Sequence, residues 1–233
     1  MILSTLRRRL YYWALAYLII FTIIGFSMAA PDPRAAVVMQ WGSFISWVVI
    51  ISSFFASPII LFVSRLFKRF HFGGKTLFVI GATALALTEE ALAIFWNNNI
   101  SALFSTTDKT ILTITTNYFD LIAKHSVIVF IPMFIVWAYL LKNRHYSAEE
   151  AFLYFGLTGI LAEFWFMPST LIFMAGGFWI LVYGAMVYAP AKLLVGKKEK
   201  FHFSFLRAGV AIFLSFLAAV PVALLVSILT KSA

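Results

Sequence analysis

Two adjacent glutamates, Glu89 and Glu90, close the apolar, small-residue run Gly81 to Glu90, GATALALTEE, and are the residues best placed to do chemistry. An acidic side chain at the centre of a membrane span costs about 2.5–3.5 kcal/mol on insertion scales, so such residues face a cavity or a partner group rather than lipid. Neighbouring helix positions lie about 100° apart. The two side chains therefore flank one cavity instead of meeting at one point. Two carboxyls this close compete for protons, which suits either a proton-exchanging pair or a set of cation ligands.

Glu163 is the second candidate. Phe152, Gly156, Gly159 and Glu163 follow one another at four, three and four residues and share a helical face. Glycines on a membrane helix mark close helix packing, so Glu163 is expected against another helix. The third candidate is His125, with Asp120 and Lys124 beside it and Ser126 and Gln40 at comparable depth. Histidine is both a common metal ligand and a proton shuttle near neutral pH. If Glu89, Glu90, His125 and Glu163 converge, three carboxyls and an imidazole form a set that suits a divalent metal such as Mn, Fe or Zn. The same set suits a proton-coupled carrier or a general acid–base pair. None of these four residues falls in an HExxH or ExxH motif, and there is no cysteine to supply a thiolate ligand, a nucleophile or a disulfide.

The elements that position these residues follow from composition. The chain has 233 residues, 63% hydrophobic and 12% charged, with a mean hydropathy of +0.96. That much apolar area cannot be hidden in a water-soluble globule. The expected fold is an all-α, polytopic bundle of about seven transmembrane helices forming a single domain, with no room for a soluble domain. The expected spans are roughly 11–30, 37–64, 76–96, 120–141, 148–167, 170–192 and 205–229. This puts Glu89 and Glu90 about 10 Å from the outer end of the third span. Pro132 and Pro221 should kink the fourth and seventh spans. The segment from Asn97 to Phe119 forms the longest connection, and Pro168-Ser169 makes a tight turn between the fifth and sixth. One weak internal echo exists: GATALALTE (Gly81–Glu89) and GLTGILAE (Gly156–Glu163) are both small-residue stretches that reach a glutamate.

The net charge of +9 is explained by topology. With the N-terminus cytoplasmic, Arg7, Arg8, Arg9, Arg65, Lys68, Arg69, Lys75, Lys142, Arg144, Lys192, Lys197, Lys198, Lys200 and Arg207 fall inside. Only Arg34, Lys109, Lys124 and Lys231 fall outside. This is the positive-inside pattern, with the basic side against an anionic leaflet and the C-terminus outside. It favours the cell membrane over nucleic acid as the partner of the basic charge. The first apolar run is read as a retained helix; the alternative is a signal sequence ending at Ser27-Met28-Ala29-Ala30.

Other polar residues have structural readings. Ser147 followed by Glu150 is a capping box opening the fifth helix, with Glu149 beside it at the helix N-terminus. Glu199, His71, His145 and His202 read as solvated loop residues. Trp41, Trp96, Tyr118 and Trp165 fit an outer aromatic belt, and Tyr11, Tyr12, Trp13 and Tyr146 an inner one. Asn99-Ile100-Ser101 is a glycosylation sequon on the expected outer side. Glu89-Glu90 could open the EExxxR motif of CAAX-type intramembrane proteases, but Ile94 stands where the arginine belongs and the histidine motifs are missing. The chain is not assigned to that family.

Three functions fit these features. The first is a small transporter or channel-like carrier in which the acidic site binds a proton or cation. The second is an intramembrane hydrolase, metal-dependent or not, using the same acids. The third is a non-catalytic subunit that works with a membrane-protein partner or as a homo-oligomer.

Overall fold

The computed structural model describes residues 33–56, 73–104, 115–124, 127–166, 176–195, 201 and 203–231, together with positions 12, 16, 19 and 20. The described residues contain helices and no strand. We number them α1 (Pro33–Ala56), α2 (Gly74–Phe104), α3 (Tyr118–Lys124), α4 (Val127–Asn143), α5 (Ala148–Phe166), α6 (Gly176–Val195) and α7 (Phe205–Lys231). Within the first expected span, Tyr12, Ala16, Ile19 and Ile20 are helical and exposed. The rest of the first expected span, the end of the second (57–64), the start of the sixth (170–175) and the Pro168-Ser169 turn lie outside the described residues.

Two stretches, Gly74–Ile100 and Phe205–Leu229, are long and apolar enough to cross a membrane. A third is added if α3 and α4, which meet at 50°, form one bent span. One apolar face of α7 is exposed among the described residues. Phe205, Phe213, Leu217, Leu224 and Ile228 are all exposed, as on a helix whose outer face meets hydrocarbon. Pro132 and Pro221 stand inside α4 and α7.

One boundary differs from expectation. The third span was expected to end at residue 96, yet α2 continues to Phe104. Its polar residues are absorbed locally. Asn99 Nδ2 donates to the Phe95 carbonyl (2.7 Å) and Trp96 Nε1 to Ser46 Oγ of α1 (3.0 Å). A turn of backbone with satisfied side chains has no reason to leave the helix. Asn98 Nδ2 then reaches the Thr116 carbonyl (3.1 Å), tying the end of α2 to the start of α3. Asn117 caps α3, its Oδ1 accepting from Phe119 N (2.9 Å) and Asp120 N (3.2 Å).

The core lies where α2, α4, α5 and α6 meet. Trp137, Phe134, Tyr154 and Phe155 are fully buried there, and Phe78 and Ala82 join them from α2. The packing of α5 on α6 rests on glycines. A Cβ on Gly156 would lie 2.8 Å from Ile180 Cα and 2.9 Å from its carbonyl oxygen. A Cβ on Gly184 would lie 2.5 Å from the Phe152 carbonyl oxygen, and one on Gly159 would enter the Tyr183 ring. Further along α6, Gly81 of α2 faces Pro190. Helix α6 thus makes close contact with both α2 and α5.

The starts of α2, α5 and α7 and the ends of α4 and α6 come together at one end of the bundle. Lys192 Nζ pairs with Glu149 Oε1 (2.5 Å) and lies 5.3 Å from the Tyr188 ring centre. Lys75 Nζ stands 5.7 Å from the Tyr139 ring centre. The expected capping box is formed: Ser147 N donates to Glu150 Oε2 (2.8 Å) and Glu150 N to Ser147 Oγ (3.1 Å). Glu150 does more than cap. It is fully buried, and Arg207 of α7 clasps it through Nε–Oε1 (2.7 Å) and Nη2–Oε2 (3.2 Å).

Tyr146, expected in an interfacial belt, is buried beneath this pair. The Arg207 guanidinium carbon lies 3.9 Å from its ring centre, and its hydroxyl donates to the Arg207 carbonyl (3.1 Å). Burial pushes the Tyr146 hydroxyl up from its usual value, Arg207 pulls it down, and Glu150 raises it again. The reason for the correction is local: the cation and the two helix ends offer the phenol more partners than an interface would.

His145, exposed as expected, has φ 54°. Histidine tolerates this left-handed conformation better than most residues. The turn is held by Arg144 N and Tyr146 N, which both donate to Leu140 O (3.0 and 3.4 Å). Thermal unfolding in detergent should find His145→Gly within about 1 kcal/mol of wild type and His145→Val destabilised by about 1–2 kcal/mol.

Candidate functional site

Glu89 stands at the middle of α2, fifteen residues from Gly74 and fifteen from Phe104, or about 22 Å from each end. The extended helix therefore sets the acidic pair at mid-helix, not one or two turns from an end. Thr88 does not compete for the site, since its hydroxyl back-bonds to the Ala84 carbonyl (2.8 Å). Glu90 is buried and Glu89 partly so. Glu163 stands three residues before the end of α5 and is also partly buried.

The shared face of α5 packs on α6 as its spacing implies. Phe152 meets Tyr188 edge-on (5.8 Å between ring centres), Gly156 meets Ile180, and Gly159 meets Tyr183. Glu163 completes the row, its Oε1 accepting a hydrogen bond from the Tyr183 hydroxyl. Glu89 lies within electrostatic reach of both Glu90 and Glu163. Tyr183 lies within reach of all three carboxyls. The structure thus brings together three of the four candidates, from α2 and α5, around a side chain of α6. The fourth, His125, lies outside the described residues, as do Ser126 and the Gln40 side chain. Nearby Asp120 pairs with Lys124 at the surface (2.9 Å).

Tyr183 is the member that the sequence reading missed. It is buried, stacked on Trp179 (5.7 Å, 26°) and edge-on to Phe130 of α4 (5.6 Å). Its ring is fixed by these contacts and by Gly159, so the hydroxyl has little freedom. A phenol donates one proton and keeps lone pairs for accepting another. The only hint in the sequence was its place on α6 opposite a glycine-lined face. Tyr118 closes the α2 side: its hydroxyl donates to the Leu87 carbonyl (3.0 Å), and it feels the charge of Glu90.

As for metal, among the described residues no group of three or more His, Asp or Glu side chains is arranged to hold an ion. What the arrangement can do is hold, exchange and orient protons.

Among the described residues, the fold and site define a helical bundle with two or three helices long and apolar enough to cross a membrane. Its sequence matches no protein-family model and no curated protein, and its fold matches no solved structure.

Proposed function

We propose that the chain is a small multi-pass membrane carrier that moves a proton or cation through an intramembrane acidic site. The observation that supports this most is the gathering of carboxyls from two helices around Tyr183 of a third. Ionisable groups at membrane depth are retained for ion pathways and proton relays. In this reading the chain crosses the cell membrane seven times, with the N-terminus cytoplasmic and the C-terminus outside. The bundle end that carries Lys75, Lys192 and Arg207 faces the cytoplasm, in keeping with the positive-inside pattern. The bare apolar face of α7 meets lipid.

Glu89, Glu90 and Glu163 hold and pass on the transported proton. α6, pressed against α2 and α5, holds the two sets of carboxyls together. The test is flux into proteoliposomes with an internal pH-sensitive dye, under an imposed proton, sodium or potassium gradient. Glu89→Gln and Glu163→Gln should each lower flux at least tenfold while the protein stays monodisperse in detergent. Wild-type flux in both variants would overturn the proposal.

A further inference from the structure

We propose that Tyr183 relays protons between the α2 carboxyl pair and Glu163, so that the three acids titrate as one unit. The inference deepens the carrier reading above and rests on the same site. Three observations carry it. The Tyr183 hydroxyl already donates to Glu163. Glu89 and Glu90 of α2 lie within electrostatic reach of the same phenol. The ring is clamped by Trp179 and Phe130 and by the close approach of Gly159. A clamped phenol is a poor gate and a good fixed stepping stone, since proton transfer needs donor and acceptor held within hydrogen-bond reach, directly or through one water.

The step conserves atoms and charge. A protonated Glu89 carboxyl gives up its O–H bond as the Tyr183 oxygen gains a proton. The original Tyr183 O–H bond breaks as Glu163 gains that proton. Tyr183 ends neutral, and the negative charge has moved from Glu163 to Glu89. Among the described residues, the ionisable groups acting on Tyr183 are Glu163 from α5 and Glu89 and Glu90 from α2. α4 presents the Phe130 ring, so no described cation competes for the proton.

The experiment compares wild type, Tyr183→Phe, Glu163→Gln and Trp179→Phe. Flux is read in proteoliposomes, and carboxyl protonation by infrared titration of the same purified proteins. Tyr183→Phe keeps the ring and should lower proton flux at least tenfold. It should also split the shared carboxyl titration of the wild type into two independent ones. Glu163→Gln, which keeps a hydrogen-bond partner but holds no proton, should give the same flux loss. The Tyr183→Phe/Glu163→Gln double variant should be no worse than either single. Trp179→Phe, which keeps a ring against Tyr183 but loosens its clamp, should lower flux less than Tyr183→Phe and keep the shared titration.

Wild-type flux and titration in Tyr183→Phe would overturn the relay. So would a Trp179→Phe variant that reproduces the full Tyr183→Phe defect, because the effect would then belong to packing. If Glu89→Gln and Glu163→Gln both leave flux intact, the carrier reading fails by itself, and the infrared titration still decides the relay. A titration that is coupled in wild type and uncoupled in Tyr183→Phe supports it; the same coupling in both sinks it.

Discussion

Replacing Arg207 with methionine should destabilise the protein by about 3 kcal/mol, the lower end of what removing one partner of a buried ion pair costs. The lower end applies because Arg207 is one-third exposed (33%) while Glu150 is fully buried. Methionine keeps the apolar stem and removes the fork that holds both carboxylate oxygens. Among the described residues, Glu150 is then left buried with the Ser147 N–H as its side-chain hydrogen-bond donor. The loss extends to Tyr146, whose ring the guanidinium covers, and to the His145 carbonyl, which accepts from Arg207 Nη2 (3.2 Å). Unfolding followed by intrinsic fluorescence in detergent measures the effect. Adding Glu150→Gln should recover part of it, because glutamine still caps α5 and carries no charge. If Arg207→Met matches wild type, the pair is not the clasp described.

The second large effect is expected at Gly156. Alanine there sets a methyl group 2.8–2.9 Å from the backbone of Ile180. A side chain could turn away; the backbone of α6 cannot move without breaking its own hydrogen bonds. The helices must separate, and overpacking of this kind costs about 1–3 kcal/mol or more. The displacement also pulls Glu163 off Tyr183, since both lie on the same seam. Gly156→Ala should therefore lower both thermal stability and proton flux. Gly209→Ala, with open space around its Cβ, should lower neither. Equal behaviour of the two variants would show that the seam is not close-packed as described.

The two ends of α5 were legible for different reasons. Ser147 and Glu150 announce a helix start through a three-residue spacing that needs no knowledge of the rest of the chain. The row Phe152, Gly156, Gly159, Glu163 announces a packing face through helical period alone. What sequence could not show was the identity of the partner. Tyr183 lies in an apolar run where an aromatic that packs and an aromatic that bonds a carboxyl read alike. Arg207 looks like one more basic residue on the cytoplasmic side; its role depends on Glu150, 57 residues away. The end of α2 was misplaced because Asn97-Asn98-Asn99 reads as a loop by composition. In the fold, Asn99 bonds back into its own helix and Trp96 onto α1, so the polar stretch stays helical.

The mid-helix position of Glu89 has a consequence for how the protein is made. The ribosome releases α2 well before α5 and α6 exist. During that interval the acidic pair has neither Glu163 nor Tyr183 beside it, and each acid disfavours insertion by about 2.5–3.5 kcal/mol at the centre of a span. The apolar segments on either side, Gly74 to Leu87 and Ala91 to Phe95, must carry the helix into the membrane. In the proposed topology, α2 therefore enters the membrane with its carboxyls still waiting for their partners, and the acidic site is assembled only after α6 has been synthesised.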